Sequence, residues 1–142
     1  MFSKSCEYAI RAMIFISQKS KDEARVGIKE IAIGTNTPQH FIAKIMQTLS
    51  KKKLVKSIKG PNGGFYLGKQ DAKTTLADIV KAIDGNVIYD DCVLGLKLCS
   101  EKKPCPAHNQ FKEIRKNLIQ MIENNTIAEF NEKLDSKHYF LK

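Results

Sequence analysis

Three cysteines and a histidine, Cys92, Cys99, Cys105 and His108, fall within 17 residues in the spacing C-x6-C-x5-C-x2-H. Thiolates are soft donors that suit zinc, copper(I) or iron–sulfur clusters, and an imidazole can complete a four-ligand set. Gly95 lets the intervening chain bend back, while Pro104 and Pro106 restrict the backbone around Cys105. Structural zinc sites usually carry cysteine pairs about two to four residues apart, whereas the gaps here are six and five. A redox disulfide would use two thiols and leave the third cysteine and His108 without a role. Histidine in place of cysteine on an iron–sulfur cluster raises its reduction potential, so such a centre could answer to redox state or iron supply. On the residues alone, zinc, a disulfide switch and an iron–sulfur cluster all stay open. The fourth cysteine, Cys6, sits among apolar neighbours and reads as a free buried thiol.

The chain around this constellation has 142 residues, 42% hydrophobic and 27% charged, which suits one domain with a modest core and is too apolar for disorder. No apolar run approaches the roughly 18–20 residues of a membrane span, so no membrane partner is expected. The opening MFSKSCEYAI lacks the basic–apolar–small pattern of a secretory signal. A cytoplasmic location with reduced thiols follows as an expectation. The net charge of +9 is lopsided: residues 1–70 hold 13 Lys+Arg against 4 Asp+Glu, and residues 71–142 hold 11 of each. Positive charge concentrated in one half points to a polyanion and to salt-dependent phosphate contacts.

The elements that must position these groups are legible in the periodicity. Ala9, Ala12, Met13 and Ile16, widened by Tyr8, Ile10, Ile14 and Phe15, predict a broad-faced helix over Ser3–Lys19, buried between other elements. A short helix at Ile28–Ile33 is expected to close on Gly34 in a left-handed turn. Thr37 and Pro38 then read as the cap and first residue of a second helix to Ser50, with Phe41, Ile42, Ile45, Met46 and Leu49 on one stripe. Helix, turn and capped helix outline a helix-turn-helix. Two β-prone runs, Leu54–Lys59 and Phe65–Gly68, flank Gly60-Pro61-Asn62-Gly63-Gly64 and follow Lys51, Lys52 and Lys53, which reads as a basic wing. Thr75-Leu76-Ala77-Asp78 and Thr126-Ile127-Ala128-Glu129 are capping boxes that open two further helices. Ala107, Phe111, Ile114, Leu118 and Met121 form a heptad seam, too short to stand alone and suited to packing against a second copy.

Taken together, the start from Ser3 to Met13, the LVKSIKGPNGGFYLGK wing and the cysteine–histidine spacing resemble the Rrf-type family of winged-helix transcription regulators over about residues 1–134. The resemblance implies a homodimer on a two-fold-related operator in double-stranded DNA, with a long C-terminal helix crossing its partner's. It implies a mainly α fold with a small β-hairpin. A winged helix-turn-helix would occupy residues 1–85, a cysteine loop 86–106, and a dimerisation helix with C-terminal tail 107–142. In the IscR-like branch three loop cysteines and a histidine ligate a 2Fe–2S cluster, and Cys92, Cys99, Cys105 and His108 match them one for one. The NsrR-like branch implies a 4Fe–4S alternative, with the partner subunit supplying an acidic fourth ligand at the position of Glu7. A 2Fe–2S cluster is the favoured expectation and zinc the alternative. The expected DNA-binding residues are Thr37, Gln39, His40, Phe41 and Lys44 on the recognition helix, Lys51, Lys52 and Lys53 after it, and Lys59 and Gly60 in the wing. Phe111, Ile114, Leu118 and Met121 would line the dimer seam. Ala43, Lys44 and Lys59 stand where the IscR-like branch has an acid, a glutamine and an arginine, so its operator does not carry over.

Other classes find little support. Neither G-x-G-x-x-G nor a Walker pattern is present, ferredoxin cysteine spacing is absent, and no G-x-S-x-G nucleophile appears. No enzyme activity and no small-molecule substrate are expected. The runner-up is a winged-helix regulator with structural zinc or no metal, sensing through a partner or small ligand.

Overall fold

The computed structural model describes residues 1–20, 24–92, 94–96 and 99–136. The end of the expected C-terminal tail, beyond Ser136, lies outside the described residues. Helix α1 (Lys4–Lys19) is capped by Ser3, whose side chain accepts from the Cys6 amide. Its broad apolar face is buried as expected, with Cys6, Ala9, Ala12, Met13 and Ile16 wholly inaccessible. It contacts α2 (Ile28–Gly34), α3 (Gln39–Lys51), α4 (Leu76–Asp84) and α7 (Ile127–Asp135), so one central rod nucleates the core. Between α4 and α7 lie a four-residue helix, α5 (Val87–Asp90), and the longer α6 (His108–Glu123).

Two details of the helix-turn-helix differ from expectation. Gly34 remains inside α2, and Asn36 takes the left-handed conformation with φ 49°. Asn tolerates that region. Gly34 is needed for space instead, since a Cβ there would lie 2.2 Å from the Phe15 ring. Thr37 does not cap α3 either. Pro38 occupies the N-cap position, and the Thr37 hydroxyl turns inward to donate to the Thr35 carbonyl at 3.2 Å.

The wing pairs β1 (Lys56–Ile58) with β2 (Gly64–Tyr66) antiparallel, with Ser57 opposite Phe65. Val26 adds a bridge to Phe65 through two 2.8 Å backbone bonds, and Gly64, at φ 148°, admits the Val26 backbone. Arg25 donates to the Asn62 carbonyl at 2.8 Å and pins the wing tip. A hairpin of two short strands is marginal alone; this third segment anchors it.

Both capping boxes form with both arms present. They also meet: Thr75 and Thr126 bridge, Leu76 donates to Asn125 and Ile127 to Thr74. Ile122 and Ile127 thereby enter the same core cluster as α1. The predicted α6 seam splits by exposure: Phe111 and Leu118 are half-buried, while Ile114 and Met121 stand 55% and 45% exposed.

Candidate nucleic-acid interface and metal centre

Helix α3 buries Ile42, Ile45, Met46 and Leu49, and this stripe turns Gln39, His40, Phe41, Lys44 and Gln47 outward. Phe41 lies in an aromatic group, its ring centroid 4.3 Å from that of His40 and 6.1 Å from that of Tyr8. Tyr8 in turn lies under the Arg11 guanidinium. Thr37, by contrast, is 5% exposed, so its side chain organises the turn and is not displayed. Lys51, Lys52, Lys53, Lys56 and Lys59 are all exposed, and Lys53 takes a left-handed φ of 61° as the chain leaves α3.

Between the end of α3 and the wing runs a groove of about 750 Å³ lined by Gln47, Lys51, Ser57, Lys59 and Gly60 among others. Ser50 and Ser57 share a 3.2 Å hydroxyl contact that ties helix to wing across it. Gln47 and Ser57 escaped the sequence reading. Gln47 had a usable signal, being one turn beyond Lys44 on the same outward face. Ser57 had none, since its placement depends on hairpin register. Cations with exposed polar groups on a helix and a hairpin suit a phosphate backbone with base edges between.

The sulfur and imidazole donors are held less uniformly. Cys99 Sγ lies 3.5 Å from His108 Nδ1. His108 is 9% exposed, and its amide donates to the Cys105 carbonyl at 2.9 Å, which sets Cys105 just before α6. Cys99 and His108 open on a cavity of about 530 Å³ shared with Glu101, Phe111 and Arg115. Cys92 lines a different cavity of about 180 Å³, with Val87, Asp91, Phe111 and Arg115. All four cysteines are free. Among the described residues no three metal-ligating side chains are grouped closely enough to hold an ion. The donor chemistry fits a soft metal centre and one sulfur–imidazole pair is in contact; Cys92 stands apart.

Two groups are excluded or occupied. Burial, with the neighbouring Asp84 carboxylate adding to it, pushes the Cys6 thiol up to about 12, so Cys6 stays protonated and is no ligand. Glu7 is ion-paired with Lys4 at 2.8 Å and Arg11 at 3.9 Å on its own helix. The hydrogen bond from Lys4 holds its carboxyl below the usual range.

Fold and interface together define a winged helix-turn-helix DNA-binding regulator with a cysteine-bearing appendage. Residues 2–133 match the Rrf2 family model, described as an iron-dependent transcriptional regulator. The chain belongs to the Rrf2 family. A putative HTH-type transcriptional regulator of Aquifex aeolicus is 32% identical over 142 residues, covering 99% of this chain and 96% of that one. The regulator NsrR of Geobacillus kaustophilus is 26% identical over 137 residues, covering 96% and 92%. Among solved structures, T. potens IscR superposes with a TM-score of 0.75 at 20% identity, covering 100% of this chain and 93% of that one, a likeness of fold. These relatives are transcriptional regulators, not enzymes. Among the described residues no helix is long and apolar enough to cross a membrane.

Proposed function

We propose that this chain is a homodimeric cytoplasmic regulator whose hold on a two-fold-related operator is tuned by an iron–sulfur cluster, 2Fe–2S in preference to 4Fe–4S. The observation that carries the cluster is the 3.5 Å contact between Cys99 and His108, a thiol and an imidazole brought together from nine residues apart. Cys92 and Cys105 complete the donor set. Glu7 is the weaker fourth ligand, because it would first have to give up Lys4 and Arg11. When bound, the cluster supplies a centre that oxidation, nitric oxide or iron shortage can alter.

On the DNA side, α3 enters the major groove, with Gln39, His40, Phe41 and Lys44 at its exposed start reaching bases or phosphates. Lys51, Lys52 and Lys53 hold phosphates, and Lys59 beside Gly60 reaches from the wing into the minor groove. Thr37 contributes by shaping the turn. Ile114 and Met121, exposed on α6 with Phe111 and Leu118 beside them, meet their counterparts in the second copy. On this reading residues 1–85 read DNA, 86–106 hold the metal and 107–142 pair the protomers.

Anaerobic purification with iron and sulfide analysis tests the reading. The expected preparation is coloured, and Ala in place of Cys92, Cys99 or Cys105 removes its visible absorption. Loaded and stripped samples are expected to differ in mobility-shift titrations on promoter fragments. A colourless protein with stoichiometric zinc, or equal binding by both forms, overturns it.

A further inference from the structure

Between the two parts of the donor set stands one side chain that the reading so far leaves unused. Arg115 lines both the cavity of Cys99 and His108 and the smaller cavity of Cys92. Its Nη1 donates to the Tyr89 carbonyl at 3.1 Å and its Nη2 to the Asp91 carbonyl. These carbonyls lie at the C-terminal end of α5, where helix carbonyls lack amide partners and favour a cation. Asp91 is the residue immediately before Cys92.

The guanidinium packs 4.9 Å from the Phe111 ring centroid. Phe111 follows His108 by three residues and Arg115 follows Phe111 by four, so the three share one stripe of α6. His108 and Arg115 are thus separated by a rigid rise of about 10 Å. Nε of Arg115 is buried with no acceptor among the described residues. A buried cationic donor left unpaired is costly, and a thiolate or cluster sulfur is an anionic acceptor that would relieve it.

We propose that Arg115 is a positioning residue for the metal centre, holding the Cys92 segment at a fixed offset from His108 and offering Nε to its anionic sulfur. The inference rests on the cluster reading. Outer hydrogen bonds of this kind orient ligands and tune a cluster's potential and retention. Lysine keeps the charge but loses the planar two-carbonyl grip, whereas glutamine loses both.

The test uses full-length protein reconstituted anaerobically with ferrous iron and sulfide. Arg115→Gln is expected to lose its visible absorption about tenfold faster under chelator challenge, within the range that outer-shell changes cause. Its reduction potential should fall, because a nearby positive charge favours the more negative, reduced form. Arg115→Lys should restore the potential more fully than the retention. Wild-type retention and potential in Arg115→Gln overturn the proposal.

A second readout needs no metal. In stripped protein, mass-resolved alkylation should show Cys92 reacting severalfold faster in Arg115→Lys, which keeps the positive charge beside the thiol, with Cys105 unchanged. Equal rates at Cys92 overturn the grip. If wild type itself takes up neither iron nor sulfide, the cluster reading fails, and with it the metal role of Arg115. Faster Cys92 alkylation would then support only the grip on the segment.

Discussion

The reading face and the cysteine segment are built on opposite plans. In the first, the helical groups ride on an element whose other side is core: Gln39 and Lys44 stand on a helix with Leu49 and Met46 fully buried beneath it. The wing is pinned by Val26 and Arg25. In the second, the three cysteines hang on the chain between α5 and α6, held by Arg115, by one exposed ion pair between Glu101 and Lys112, and by the Cys99–His108 contact. Packing thus fixes the groups proposed to meet DNA, whereas the proposed metal centre lies where few buried contacts oppose rearrangement.

That contrast can be broken at either side. The largest effect belongs to Cys6, the thiol inside the rigid half. Raised to about 12 from 9.0, it holds about a thousandfold less thiolate than an ordinary thiol. In native protein at pH 8 it should resist alkylation while Cys92, Cys99 and Cys105 react, and all four should react alike in denaturant. The folded state binds this proton more tightly, so the associated stability is whole below pH 9 and lost as pH climbs toward 12. Native reactivity of Cys6 equal to the other three would show that the rigid half opens as readily as the loop.

Next comes the pairing surface. Ile114→Glu puts like charges on the seam of both copies and should weaken self-association by about a hundredfold, or roughly 3 kcal/mol, read by sedimentation. Monomer fold should persist, because Ile114 is 55% exposed and lies outside the core cluster. Unchanged association would place the dimer elsewhere.

Smaller is the expected change at the wing. Lys59→Ala should lower the slope of log affinity against log salt by about one and leave thermal stability within about 0.5 kcal/mol, since the residue is exposed. An unchanged slope removes the wing tip from the interface. Smallest is Thr75→Ala, which deletes one arm of a capping box and should cost about 1 kcal/mol in a denaturant melt. A negligible cost would mean that α4 is held by packing alone.

How much was legible depended on which physics decided each residue. Helix periodicity and capping are local, so α1, α3 and α4 emerged from Ala9, Ile42 and Thr75 nearly as they stand. The turn did not: Gly34 suggests backbone freedom, yet a ring 19 residues away in another helix, Phe15, decides its identity. Thr37 is not the cap its type suggests, because Pro38 takes the N-cap with its own extended ψ of 134°. The donor residues were visible as types and spacing. Their separation into a Cys99–His108 pair and an isolated Cys92 was not, because Arg115 acts across 24 residues and its partners are backbone carbonyls without sequence signature.

The junction where the two capping boxes meet changes how the cysteine segment is tethered. Because Ile88 on one side and Ile122 and Ile127 on the other are locked into the core, the cysteine-bearing loop is fastened at both feet, like the handle of a jug. A handle does not swing free: whatever moves it pulls at both attachments. Cutting it off at Gly85 would take Ile88, Ile122 and Ile127 out of the wall, so the reading head and its handle must be made as one vessel.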